Sequence, residues 1–137
     1  LIIKMQAIKT FATLLILSLL FTSCEKNNLS PEAGELEGIW IEKGYEENIS
    51  IFEKAKKIDE NKYGFEISEG GIFLEHKNSG WCGTPPISYA NYDGTWKYES
   101  DSILLIDVGY WGGTISYKLE IVELTTNTLK ARYQYLD

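Results

Sequence analysis

Apolar and polar residues alternate over most of the chain, and the alternation predicts strands. Tyr63, Phe65 and Ile67 alternate with Lys62, Gly64, Glu66 and Ser68, the pattern of a half-buried strand. Gly70-Gly71 then turns the chain, and Ile72 to Lys77 runs back. Trp96 and Tyr98 alternate with Lys97 and Glu99, and Ser100-Asp101-Ser102 turns into a strand from Ile103 to Trp111. After Gly112-Gly113, Ile115, Tyr117, Leu119 and Ile121 mark one face, but Val122 and Leu124 fall on the opposite parity. A β-bulge near Ile121 reconciles the two halves. Thr125 to Thr128 turns into a last strand with Leu129, Ala131, Tyr133 and Tyr135 facing inward.

The upstream part is less regular. Leu36 to Glu42 reads as a first strand, with Gly38 allowing a close approach. Between Glu46 and Glu60, Ile49, Phe52 and Ala55 fit a short helix, whereas Ile49 and Ile51 fit a strand. The strand, Ile49 to Lys54 followed by a charged loop, is the reading adopted. Asn78 to Asp93, which holds Pro85-Pro86, is expected to be a long loop.

About eight strands, short turns and no long helix make an all-β domain. Strands joined by tight turns run antiparallel. Eight of them taken in sequence order close most simply into an up-and-down barrel, which also removes exposed edges. A sandwich shares the same periodicity.

The N-terminus has a different character. The sequence opens Leu1-Ile2-Ile3-Lys4, and its one methionine is Met5, where translation is expected to begin. Lys9 supplies a positive charge ahead of an apolar run from Phe11 to Phe21, too short to span a bilayer. Phe21-Thr22-Ser23-Cys24 resembles a bacterial lipobox, with Phe21 where leucine is commonest. The resemblance implies cleavage before Cys24 and acylation of that cysteine. Residues 1–23 are then a signal peptide, 24–35 a lipidated cysteine and polar tether, and 36–137 the barrel domain. Glu25 stands where an inner-membrane lipoprotein carries Asp, so the resemblance implies the outer membrane. The alternative is an ordinary secretory signal cut near Ser23, with Cys24 incidental.

Charge narrows the partners. The leader holds Lys4 and Lys9 and no acid, so its removal takes the formal net charge from −7 to −9. Such a chain lacks the basic footprint that nucleic acid or anionic lipid requires. Two cysteines in an exported protein suggest a disulfide. A lipidated Cys24 leaves Cys82 alone, and the fold must then be held by its aromatic-rich core.

Gly38-Ile39-Trp40 is similar to the G-x-W signature that opens lipocalins, and Gly94-Thr95-Trp96 repeats the spacing. The whole mature chain resembles small lipocalin-like bacterial lipoproteins. That resemblance implies a cup-like barrel, the first tryptophan packed across its closed end, binding a small apolar or amphipathic ligand. In lipocalins an arginine caps that tryptophan, and Arg132, the one arginine, is the candidate for that role.

Two stretches stand out as candidates for binding. Ser79 to Pro86 contains Trp81 and Cys82 between glycines and prolines, either a specified rim of a binding site or an inward-folded plug. Tyr110 and Trp111 sit beside a turn, where they make either a sticky rim or end packing. His76 with Cys82 has no spacing that marks a nucleophile and base, so no enzyme activity is expected. Neither a metal site nor a cofactor is expected, because one His and one Cys fall short of a ligand set. Two functions lead: a membrane-anchored binder of a small ligand, or an envelope protein-interaction or hydrolase-inhibitor module acting through the Trp81–Pro86 loop; a structural or assembly accessory is the further alternative.

Overall fold

A computed structural model describes residues 33–80 and 83–136. The chain enters through a four-residue helix, α1 (Ala33–Leu36). Eight strands follow: β1 (Gly38–Glu46), β2 (Ile49–Ala55), β3 (Gly64–Ser68), β4 (Ile72–Asn78), β5 (Tyr89–Ser100), β6 (Ile103–Tyr110), β7 (Gly113–Leu124) and β8 (Thr128–Tyr135). All neighbours are antiparallel, and the sheet closes into a barrel. This is the predicted fold class, and an eight-stranded antiparallel closed barrel is consistent with a lipocalin-like fold.

The order of strands departs from simple succession at one place. Around the barrel it runs β1-β2-β8-β7-β6-β5-β4-β3, so β1 lies between β2 and β3. The connection that makes this possible is residues 56–63. Eight residues reach roughly 26 Å when extended, ample to cross one strand at about 4.8 Å spacing. The segment passes over the outer face of β1, where Ile41 and Ile58 line one cleft with Lys43 and Asp59. Ile41 points outward yet is buried. The charged loop expected after β2 is therefore a strap over an otherwise exposed isoleucine.

Alternation sets the interior as predicted for Phe65 and Ile67 and for Leu129 and Ala131, all buried. In β2 the inward residues are Ser50 and Phe52, and Ile49 and Ile51 face out, half-buried. The bulge expected near Ile121 lies between Ile121 and Glu123, where the β7–β8 register shifts. Several boundaries move, and β1 runs on to Glu46 rather than ending at Glu42. Leu36 belongs to α1 rather than to the first strand, because its side chain turns under the barrel end. β5 begins at Tyr89, paired with Asn78, so the loop after β4 is shorter than the prolines suggested.

One end of the barrel is packed shut. Trp40, Phe52, Phe65 and Phe73 are fully buried, and Phe65 lies 5.0 Å from Phe52 and 5.5 Å from Phe73 between ring centroids. Leu36 closes the base, and the Trp40 indole Nε1 donates to the Leu36 carbonyl at 2.8 Å. Each such buried apolar side chain contributes about 1.5–3 kcal/mol relative to exposure. Both G-x-W glycines have a steric reason. Gly38 has a φ of 129°, a backbone conformation that L side chains rarely adopt, and a Cβ on Gly94 would meet the Asp107 carbonyl oxygen at 2.5 Å. Trp96, the second tryptophan, donates from Nε1 to the Ser68 carbonyl at 2.8 Å near the same closed end.

The cation over Trp40 is not Arg132. Arg132 sits between the inward Ala131 and Tyr133 and bonds Glu120 through Nη1 at 2.8 Å. Lys54, directly across from Trp40, holds its Nζ 5.1 Å from the ring centroid and donates to the Glu35 carbonyl at 3.1 Å. Strand parity turns Arg132 away from the interior.

Candidate ligand-binding site

The opposite end of the barrel is open. Above the aromatic core lies a cavity of about 450 Å³ whose wall includes six tyrosines, among them Tyr45, Tyr110, Tyr133 and Tyr135. Its position follows from parity. Glu42 continues the inward face of β1 beyond Trp40, Ser50 that of β2, Glu75 and Lys77 that of β4, and Tyr133 and Tyr135 that of β8.

The floor of this cup is a hydrogen-bonded network around Glu75, which is 3% exposed. Tyr63 and Tyr117 donate to its Oε1 at 2.5 and 3.1 Å, and Lys77 Nζ lies 2.5 Å from its Oε2. Tyr63 has one proton and gives it to Glu75, so Tyr133, 2.9 Å away, donates to the Tyr63 oxygen. A buried charge persists only when paired and hydrogen-bonded, and Glu75 has both kinds of partner. Burial, reinforced by the negative charge of Glu75, holds the phenols of Tyr63, Tyr117 and Tyr133 well above the ordinary tyrosine range. They therefore stay protonated and act as donors.

The rim is aromatic. Tyr110 and Trp111, the pair singled out by sequence, both line the cavity and meet edge-to-face at 5.7 Å, with Trp111 57% exposed. Tyr133 and Tyr135 stack at 6.3 Å, and Tyr117 packs 5.3 Å from Tyr133. Gly80, at the start of the Ser79–Pro86 segment, also reaches the wall. Cys24, Trp81 and Cys82 lie outside the described residues. His76 is on the outer face, stacked on Tyr89 at 5.4 Å with Nδ1 2.6 Å from Asn91 Oδ1, away from the cup.

Sequence reasoning missed Glu42, Glu75 and Tyr63 as cup residues. A signal for two of them was there: Glu42 falls at the same parity as Trp40, and Glu75 at the same parity as Phe73. A charged residue at an inward position marks either a satisfied network or a site.

A wider depression of about 570 Å³ lies outside the barrel, beneath residues 56–63. Its charges largely satisfy each other, Lys43 with Glu53 at 2.7 Å and Lys62 with Asp59 at 3.6 Å. The cup, with its aromatic wall and inward polar groups, is the better candidate for a ligand.

Compared with known proteins, the chain matches no family model, no curated protein and no solved structure.

Proposed function

We propose that this protein is an envelope lipoprotein, anchored through Cys24 at the outer membrane, whose barrel binds a small amphipathic molecule in its open half. The observation that carries the reading is the division of the interior. The lower half is filled by Trp40, Phe52, Phe65 and Phe73, and the upper half is an aromatic-walled cavity of about 450 Å³. That volume falls within the roughly 300–1,000 Å³ usual for small-molecule sites. A filled base leaves no shaft for a long alkyl chain, so the ligand is compact. Its apolar part rests on tyrosine faces, and its polar part meets Glu42, Ser50 or the Glu75 network. The proposed role is binding, with both Glu75 oxygens held by Tyr63, Tyr117 and Lys77 as part of the cup floor.

Anchoring suits this geometry. The described chain enters through α1 at the closed end, where Leu36 meets Trp40. An anchor on Cys24 leaves the mouth on the far side of the barrel from the tether. The alternative, a protein-interaction or hydrolase-inhibitor module working through the Trp81–Pro86 loop, draws on Gly80 at the rim and the exposed indole of Trp111.

Titration with the neutral fluorescent probe N-phenyl-1-naphthylamine separates the two. The binder reading expects saturable enhancement at one site, weakened by about tenfold or more in Ser50→Phe, which fills the cavity. A thermal melt of that variant checks that it remains folded. Unsaturable enhancement, or binding indifferent to a folded Ser50→Phe, would sink the reading in favour of the module.

A further inference from the structure

The charges inside the cup do not cancel. Lys77 is spent on Glu75, at 2.5 Å, and its ammonium also lies 5.4 Å from the Tyr92 ring centroid. Glu42 is different. Its backbone N–H donates to the Tyr63 carbonyl at 3.0 Å, but its carboxyl has no ion pair and no hydrogen bond among the described residues. Partial burial raises its pKa above the ordinary glutamate value, with no cation nearby to offset the desolvation. A lone carboxylate in that position is a standing cost, unless something enters to meet it.

The surrounding wall narrows what that something is. Tyr45, Tyr110, Trp111, Tyr133 and Tyr135 line the same cavity as Glu42. Aromatic faces carry negative potential and attract cations, most strongly where water is excluded, and a carboxylate adds direct Coulomb attraction. An anionic ligand meets Glu42 with a like charge and finds no free cation among the described residues of the wall, because Lys77 is already paired. A neutral ligand gains the aromatic contacts but leaves Glu42 uncompensated. A compact organic cation satisfies both features at once.

We infer that the cup selects organic cations, its ligand carrying a quaternary or protonated amine that sits against Glu42 within the tyrosine wall. This rests on the reading of the open half as the ligand site, and it names the chemical class which that site prefers.

The test compares choline with its uncharged isostere 3,3-dimethyl-1-butanol on the full-length protein, by NMR shifts of the indole and tyrosine ring signals. N-phenyl-1-naphthylamine serves as the neutral reference probe. Wild type should bind choline about tenfold more tightly than the isostere. In Glu42→Gln the ratio should fall to near one, while Glu42→Asp should retain part of the preference. Equal binding of choline and the isostere, or a preference that survives Glu42→Gln, overturns the inference while dye binding upholds the cup. Stronger binding of a neutral methyl glycoside than of choline overturns it too, in favour of a sugar site. If neither the dye nor choline binds, the cup reading falls along with it.

Discussion

Tyr63 donates its phenolic proton to Glu75 across the β3–β4 side of the barrel, at 2.5 Å. This bond lies where the packed half of the interior gives way to the open half. Below it the side chains are aromatic and aliphatic, and above it the wall turns to tyrosines and charged groups. The network is both the roof of the core and the floor of the cup.

Removing the acceptor at that layer should be costly. Glu75→Ala leaves Lys77, Tyr63 and Tyr117 without their shared partner, a loss of about 3–5 kcal/mol by analogy with broken buried pairs. Glu75→Gln keeps the shape and one acceptor oxygen and should lose less. Chemical unfolding of the two variants ranks them, and equal stability of Glu75→Ala and wild type would mean that the network is not structural.

The base of the barrel makes its own prediction. Leu36 is fully buried although it belongs to a four-residue helix that could not stand alone. Leu36→Ala should therefore destabilise the whole domain by about 2–5 kcal/mol, as a core truncation does. A loss below about 0.5 kcal/mol, typical of surface substitution, would show that the helix is a detachable tail.

Gly94 tests the second G-x-W. A Cβ there meets the Asp107 carbonyl oxygen and Val108, both on β6. Backbone cannot swing aside as a side chain does, so Gly94→Ala should cost about 1–3 kcal/mol in a urea melt. Gly44→Ala is the control, since no atom beyond its chain neighbours lies within 4 Å of its Cβ position.

Glu42 predicts a pH dependence with a definite sign. Its folded pKa is raised by burial, so the folded state binds more protons than the unfolded chain between the two values. Stability contributed by this group is greatest when it is protonated. It falls as pH rises from the ordinary glutamate value through the raised one. The six tyrosines of the wall and the Glu75–Lys77 pair on β4 are the ionisable groups sharing its cavity, and the buried Tyr63, Tyr117 and Tyr133 stay neutral. Glu42→Gln should thus be more stable than wild type near neutral pH and close to it at about pH 3. Thermal melts at both pH values check it, and a variant less stable at neutral pH reverses the sign.

How far the sequence alone leads depends on the range of the interaction. Tyr63-Phe65-Ile67 declared its strand because period-2 burial is local, and the parity change after Ile121 declared the bulge for the same reason. The exchange of β1 and β2 in the barrel order was not legible. It is decided by pairing across the sheet, Gly38 with Ile67 and Ser50 with Ala131, which no local pattern encodes. Residues 56–63 read only as a charged loop, whereas their path buries Ile41. Of the site, Tyr110 and Trp111 were visible as aromatics beside a turn. Glu42 and Glu75 were passed over because a glutamate in a strand normally faces water, although their parity with Trp40 and Phe73 pointed inward.

The most direct test of the account is native mass spectrometry of the protein taken from an expressing bacterium without added ligand, beside Ser50→Phe prepared identically. Wild type should carry a reproducible small added mass, released on unfolding and soluble in organic solvent, that the filled variant lacks. A bare chain for both proteins, in every preparation, would contradict a ligand-binding cup.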